Sequence, residues 1–497
     1  MKKQVIMIQG TTSNAGKSLL AAGLCRIFAK DGLRVAPFKS QNMALNSYVT
    51  ADGLEMGRAQ VTQAQCAGIA PDVRMNPVLL KPTSDSGSQV IVMGEVVGNM
   101  PARDYYAYKH KLKEPILEAF HSLAAENDVI VIEGAGSPAE INLKQNDIVN
   151  MGLAKMVKVP VLLAGDIDRG GVFAALAGTH LLLDEEERRH LKGVIINKFR
   201  GDVTILEPGL QMLEDIIHTP VVGVVPYLKV DIDDEDSLTD RFSQNSGGVL
   251  DIAVVRLPRI SNFTDFGAIS AVEGVGLRYV ASPGQLGRPD MIFLPGSKNT
   301  MEDLLWLRQS GLEAAILKYG ADGGIVFGIC GGYQMLGERL SDPLGMEAGG
   351  ELRGMGLLPG RTEFAPQKAR RQVEGCFGEV KGPLAPLSGA KIEGYEIHMG
   401  QTIGEEGAEP LALVEDGRPD GMQKGSIYGS YLHGVFDSAE AVDGLLRALL
   451  ARKGLSGDAL HAEDPVVYRE RQFDILEQGL RESLDMERIY QIMEEGV

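Results

Sequence analysis

The sequence predicts two α/β domains in tandem. Three features predict it: apolar runs alternate with stretches of helical spacing in both halves, a polar acidic stretch separates the halves, and each half carries a glycine-rich turn directly after an apolar run. At 497 residues the chain exceeds what one hydrophobic core holds. Its 44% hydrophobic and 23% charged residues are the composition of packed globular domains rather than of a disordered chain.

Residues 5–9 form a short apolar run ending in a Gly/Thr/Ser/Asn loop, and residues 18–30 have the apolar spacing of a helix. Further strands are expected over 129–132, 159–164, 193–196 and 221–225, with helical stretches between several of them. Such alternation predicts a mostly parallel, doubly wound sheet, with ligands at the carboxyl ends of its strands, in a first domain over 1–230. Asp231, Asp233, Asp234, Glu235 and Asp236, followed by Ser243-Gln244-Asn245-Ser246-Gly247-Gly248, mark a linker over 231–250. A second α/β set has strands expected over 252–257, 291–294, 324–329, 392–399 and 427–432, giving a domain over 251–441 and a helical tail over 442–497.

A formal net charge of −18 repels a polyphosphate backbone, so nucleic acid is not an expected partner. Cys25, Cys66, Cys330 and Cys376 are scattered without a C-x-x-C pair, which predicts neither a disulfide framework nor a zinc site and fits a reducing cytoplasm. The apolar run after Met1-Lys2-Lys3 is too short for a signal segment or a membrane span, and neither is expected.

In the first half, Gly10-Thr11-Thr12-Ser13-Asn14-Ala15-Gly16-Lys17-Ser18 joins a strand to a helix. Backbone amides and a helix start converge there to hold phosphate oxygens of ATP, with Gly10, Thr11, Asn14, Ala15 and Gly16 lining the cradle. Lys17 reaches the terminal phosphates and Ser18 binds magnesium. The spacing G-x5-G-K-S is one residue longer than the usual loop, and the strand before it and helix after it speak against a plain glycine turn. Magnesium also needs carboxylates, and Glu133, directly after the run 129–132, is the leading second ligand. Glu55 is either a further ligand or a charge complementing a helix start. Asp166 and Asp168 close another strand, where they touch metal or substrate or simply form a turn. Asn197 follows the run 193–196, where its amide can pair with an adenine edge or serve the turn.

In the second half, Gly328-Ile329-Cys330-Gly331-Gly332-Tyr333-Gln334 follows the strand expected over 324–329. A sharp strand-to-helix turn there presents Cys330 as a nucleophile where oriented amides favour negative charge, and glycines are required because the elbow crowds any neighbouring side chain. The Gly331 amide and a second one, from Gly296 or Ser297, would form an oxyanion hole. Two histidines lie near strand ends, His398 and His433. His433 is the preferred base because Gly429 and Gly434 flank its segment and leave the strand end open, while His398 binds substrate or completes a subunit contact, a structural role being the alternative for either ring. A thiol, an imidazole and an oxyanion hole are the parts of a glutaminase.

On these residues the chain resembles the cobyric acid synthase family over most of its length. Segments 10–18, 39–43, 55–60, 76–82, 165–171 and 197–202 are similar to that family's ATP-binding half. Arg259-Ile260-Ser261-Asn262-Phe263-Thr264-Asp265-Phe266 and segments 294–300, 328–334 and 431–437 are similar to its amidotransferase half. The first half also resembles dethiobiotin synthetase, which shares the lengthened loop, and the second resembles class I glutamine amidotransferases. The resemblance implies amidation by glutamine and ATP of the b, d, e and g carboxylates of a corrinoid, adenosylcobyrinic acid a,c-diamide, and makes Lys81 and Arg169 candidate contacts for those carboxylates. In many class I amidotransferases a Glu two residues past the histidine orients it; Val435 stands there, so the third member is absent from its usual place. Gly267 likewise stands where the family resemblance leads one to expect Asp. Two rival readings are cobyrinic acid a,c-diamide synthase, disfavoured by segments 39–43 and 165–171, and a non-catalytic partitioning-type ATPase, disfavoured by the intact Cys330 and His433.

Overall fold

The computed structural model describes residues 4–84, 87–232, 247–415, 417–457 and 459–497. Its first sheet contains β1 (Gln4–Gly10), β2 (Val35–Phe38), β3 (Val129–Glu133), β4 (Val161–Asp166), β5 (Leu191–Phe199) and β6 (Val221–Pro226), all parallel, in the order β6-β5-β4-β1-β3-β2. β1 shows why both faces are covered. Ile6 and Ile8 enter one apolar layer with Leu20, Leu24 and Phe28 of α1 (Lys17–Lys30), whereas Met7 enters the other with Val61 and Ala64 of α2 (Arg58–Cys66). A strand apolar on both faces needs helices on both, which is the doubly wound arrangement expected. The strand expected over 159–164 lies at 161–166 instead, because Pro160 has no amide to give a ladder.

The second sheet contains β7 (Leu250–Val255), β8 (Val275–Val280), β9 (Met291–Leu294), β10 (Ile325–Ile329), β11 (Met422–Lys424) and β12 (Ile427–Ser430), in the order β8-β7-β9-β10-β12-β11, with only β11 antiparallel. Ile252 and Val254 face one layer, and Ala253 and Val255 the other, with Leu304 of α3 (Thr300–Ser310) and Met335 of α4 (Gly331–Leu336). No helix among the described residues is long and apolar enough to cross a membrane.

Two features depart from the sequence pattern. Strands Gln41–Met43, Val78–Ser84, Gly87–Val92 and Glu95–Pro101 make a small sheet on the first domain, and Gly360–Phe377 pairs with Lys391–Gly404, well beyond the 392–399 expected. These additions form the seam between domains. Tyr48, in the short strand Ser47–Val49, lies 5.4 Å from Tyr395, Arg370 pairs with Glu95 at 2.6 Å, and Lys298 Nζ donates to Gln89 Oε1 at 3.2 Å.

Most of the linker expected over 231–250 lies outside the described residues. The segment read as a tail from 442 is shared by the two domains. α5 (Ala439–Arg452) buries Leu445, Leu446 and Leu449 in the second domain's core. α6 (Pro465–Ser483) and α7 (Met486–Glu495) return to the first domain, where Phe473, Leu476, Leu480, Ile489 and Ile492 cover α1. A Cβ on Gly23 would stand 2.2 Å from Leu480 Cδ1, so glycine is what lets α6 approach α1. Amphipathic spacing shows that a helix buries one face, but not which domain receives it.

Candidate active site

β10 ends at Ile329 and α4 begins at Gly331, so Cys330 turns the chain alone, at φ 50° and ψ −105°. Such backbone costs about 1–3 kcal/mol for a residue with a side chain. Bonds on both sides hold it: Cys330 N donates to Ser430 O at 2.8 Å and Gln334 N to Cys330 O at 3.0 Å. A Cβ on Gly332 would lie 2.0 Å from Leu294 O, and one on Gly331 2.8 Å from Ser297 N. The second contact sets the Gly331 and Ser297 backbones side by side. Gly296, the other donor considered, packs against the base, since its Cβ would stand 3.1 Å from His433 Cε1. Asp303 steadies this loop by accepting from Ser297 Oγ at 2.7 Å, and burial pushes its pKa up to about 6.

The structure sets His433 beside the Cys330 sulfur, near enough for the two groups to influence each other's charge, and its Nδ1 lies 2.8 Å from Asp265 Oδ2. Asp265 Oδ1 also accepts from Gly434 N at 3.0 Å, and the Tyr395 ring stacks on the imidazole at 5.3 Å. Asp265 therefore takes the place that Val435 leaves vacant in the sequence. It sits in the single turn Phe263–Phe266, 168 residues from His433; sequence reasoning marked that run as a motif without seeing its role. Burial opposes protonation of His433, but Asp265 and then Cys330 outweigh it and push the pKa up to about 10, favouring an imidazolium beside the sulfur. The open strand end expected at His433 is in fact closed: the side chain is 1% exposed, flanked by Tyr395, Asp265 and Gly296. His398 stacks on Tyr431 at 3.7 Å, its Nδ1 lies 3.0 Å from Gly400 O, and burial pushes its pKa down to about 4, so it stays neutral.

Cys330 opens onto a cavity of about 280 Å³ lined by Gln334, Lys298, Glu347 and His398 of the second domain and by Lys81 of the first. Burial pushes Glu347 up to about 7; burial, then Lys368 and Lys81, push Lys298 down to about 7. The Glu347 loop is fixed by Asp342, which accepts from Met346 N at 2.7 Å and from Glu347 N and Gly349 N at 2.8 Å. A larger cavity of about 490 Å³, between the end of α1, residues 67–75 and residues 123–127, contains neither the thiol nor any phosphate-loop residue.

At the phosphate loop Gly16 has φ 89°, and a Cβ there would stand 2.1 Å from Asn197 Nδ2. Asn197 Nδ2 donates to Ala15 O at 2.8 Å, so the carboxamide expected on an adenine edge braces the loop from beneath. Thr11 N donates to Ala164 O at 2.9 Å, and Lys198 Nζ to Asn14 O at 2.6 Å, tying Gly10, Thr11 and Asn14 to the ends of β4 and β5. Lys17 Nζ donates to Thr12 O at 2.9 Å, Ser13 O at 3.0 Å and Gly136 O at 3.1 Å. Ser18 Oγ donates to Glu133 Oε1 at 2.7 Å; that carboxylate also accepts from Lys39 Nζ at 2.9 Å, Gln63 Nε2 at 2.6 Å and Gln60 Nε2 at 3.3 Å. A hydroxyl beside a carboxylate at the loop end suits magnesium, which keeps most of its ligands as water and phosphate. No cluster of three or more His, Cys, Asp or Glu among the described residues offers an all-protein cage.

Glu55, read as a metal ligand or a helix-start charge, is held at the seam instead, by Lys81 at 2.9 Å and Lys368 at 2.5 Å. Burial would raise its pKa, yet the two ammonium groups hold it well below the usual carboxylate range. Lys81 reaches the cavity rim and also donates to Ser47 Oγ at 2.9 Å. Asp166 accepts from Asp168 N at 2.9 Å and pairs with Lys198 at 2.9 Å, while Arg169 stays exposed, 4.0 Å from Asp166.

A thiol–imidazole–carboxylate array at a strand-to-helix turn, sharing a cavity with a residue of a nucleotide-binding-type domain, has the architecture of a glutamine amidotransferase joined to such a domain. Residues 251–441 match a CobB/CobQ-like glutamine amidotransferase domain, and residues 6–237 a CobQ/CobB/MinD/ParA nucleotide binding domain. The chain is similar to the cobyric acid synthase of Ruminiclostridium cellulolyticum, at 62% identity over 99% of this chain and 97% of that protein. It is likewise similar to those of Lachnoclostridium phytofermentans, at 55% over 99% of each chain, and Photorhabdus laumondii, at 53% over 98% of each. The chain belongs to the cobyric acid synthase family, amidating enzymes of cobalamin biosynthesis.

Proposed function

We propose that this chain moves the amide nitrogen of glutamine onto the b, d, e and g carboxylates of adenosylcobyrinic acid a,c-diamide, with ATP held by Gly10, Thr11, Asn14, Ala15, Gly16 and Lys17 and magnesium by Ser18 and Glu133. The observation that carries this reading is the Cys330–His433–Asp265 array, which faces a cavity that the first domain enters with Lys81.

Glutamine enters that cavity with its charged end toward Lys298 and Glu347 and its carboxamide at Cys330. The thiolate attacks the carboxamide carbon, and the amides of Gly331 and Ser297 stabilise the oxyanion. His433, oriented by Asp265, gives its proton to the leaving nitrogen, so ammonia departs and a glutamyl thioester remains; it then takes a proton from water, whose attack releases glutamate and restores the thiol. In the first domain Lys17 exchanges its loop carbonyls for phosphate oxygens and positions ATP for attack by a corrinoid carboxylate. Magnesium, when bound, neutralises charge on the terminal phosphates. That attack, at the γ-phosphorus, expels ADP and leaves an acyl phosphate; ammonia then adds to the acyl carbon, and phosphate departs as the amide forms. Arg169, exposed beside Asp166, steers the corrinoid carboxylates, whereas Lys81, the other candidate contact, is committed to Glu55 and Ser47 at the glutamine cavity. Residues 1–230 with α6 and α7 form the synthetase unit, and 251–441 the glutaminase. Cys25, Cys66, Cys330 and Cys376 are free thiols, as a reducing cytoplasm keeps them, and we place the enzyme there.

Purified protein incubated with glutamine, ATP, magnesium and the a,c-diamide tests the assignment through product mass. Four new amides are expected, and an unchanged corrinoid mass would overturn it.

A further inference from the structure

The seam between the two sites contains a buried carboxamide with nothing to bond. Asn46 is 1% exposed, and among the described residues neither its Oδ1 nor its Nδ2 has a hydrogen-bond partner. Buried polar groups are almost always paired, so an amide orphaned at both atoms points to a small polar visitor. The side-chain amide is orphaned whichever way round its oxygen and nitrogen are assigned.

The backbone around Asn46 ties it to both chemistries. On the glutaminase side, Ser47 N donates to Asn262 Oδ1 at 3.0 Å, and Asn262 lines the Cys330 cavity. Tyr395, whose ring stacks on His433, donates its hydroxyl to Ser47 O at 3.1 Å. On the synthetase side, Arg58 N donates to Asn46 O at 3.3 Å, at the start of α2. Two and five residues along that helix, Gln60 and Gln63 hold Glu133, the carboxylate bonded to Ser18, and Gln63 Oε1 is itself an orphan among the described residues. Around this line Tyr48, Val49, Tyr395 and Ile397 form an apolar cluster, and the Cys330 sulfur lies 3.7 Å from Ile397 O.

We propose that the Asn46 carboxamide receives ammonia as it crosses from the Cys330 cavity to the Ser18–Glu133 end of the synthetase site. An orphan carbonyl needs a donor and an orphan amide needs an acceptor. Neutral ammonia offers both, with three N–H bonds and one lone pair, whereas ammonium has no lone pair to offer Nδ2. Asn46 thereby selects the form of nitrogen that is nucleophilic. The inference rests on the reading that nitrogen freed at Cys330 is consumed in the first domain.

The test uses the full chain with Asn46→Leu, which keeps the branched shape and removes hydrogen bonding, and Asn46→Ala, which removes it without adding bulk. Glutamate released per amide formed is measured with glutamine, and amide formation with ammonium chloride. The wild-type ratio should be near one; in both variants it should rise at least about fivefold, while ammonium-supported synthesis stays within about twofold. With amide-¹⁵N glutamine, added unlabelled ammonium should dilute the product label in the variants and not in the wild type. A ratio still near one in either variant that retains ammonium-supported synthesis would overturn the proposal. Loss of that synthesis in both variants would overturn it too, by giving Asn46 a purely structural role. Failure of wild-type protein to release glutamate would instead remove the reading beneath it.

Discussion

The thiol site and the phosphate loop are built on opposite plans. The thiol site draws on residues 265, 330 and 433, and packing locks them before any substrate arrives, with His433 fixed between Asp265, Tyr395 and the sulfur. The phosphate loop is contiguous, and its lysine is folded onto the carbonyls of Thr12, Ser13 and Gly136. Nucleotide must therefore draw Lys17 away from three acceptors, while glutamine meets a finished array. Rigidity sits where nitrogen is released and adjustment where it is consumed.

The contrast breaks most severely at Asp265. Asp265→Asn keeps the shape but removes the charge facing the imidazole, so glutaminase kcat should fall by about 10³–10⁴-fold while ammonium-supported amidation is unchanged. Steady-state assays with each nitrogen source check this, and parallel loss of both activities would show that the plans are not separate. Gly16→Ala is the counterpart at the loop. Its new Cβ meets Asn197 at a left-handed position, and ATP-dependent amidation should drop by about 10²-fold, with labelling of Cys330 by a glutamine-analogue diazoketone unaltered.

A smaller effect sharpens the comparison through pH. His433 is raised in the fold to about 10, against about 6.5 for a free imidazole. The stability this contributes is fully present below about 6.5, is drawn down as pH rises from there, and is gone above about 10. The excess of wild-type over Asp265→Asn melting temperature should therefore shrink as pH rises through that window. The smallest effect is expected at the clasp: Gly23→Ala crowds Leu480, and should cost about 1–3 kcal/mol, read as a lower urea midpoint with glutaminase kcat unchanged.

Legibility in the sequence followed contiguity. Gly10 to Ser18 and Gly328 to Gln334 each contain their own chemistry, because a turn that crowds side chains must be written in adjacent glycines. Asp265 was not legible, since Val435 occupies the familiar position for a partner of His433 and only folding brings residue 265 to it. Glu55 reads as a further ligand or as a charge at a helix start, because only its local segment is visible in the sequence; its lysine partners, Lys81 and Lys368, belong to strands whose pairing the pattern did not reveal. The same limit explains the supposed tail, whose helices are plain in their spacing but whose destination on α1 depends on Gly23 and on Arg26 reaching Glu470 at 2.8 Å.

Cys330→Ala tests the central claim most directly, because it removes nitrogen release and leaves nitrogen consumption untouched. Amidation of the corrinoid should vanish with glutamine as the nitrogen source and persist at the wild-type rate with ammonium chloride. Equal loss with both sources would contradict a division of labour between the two sites, and undiminished activity with glutamine would contradict the role assigned to the thiol.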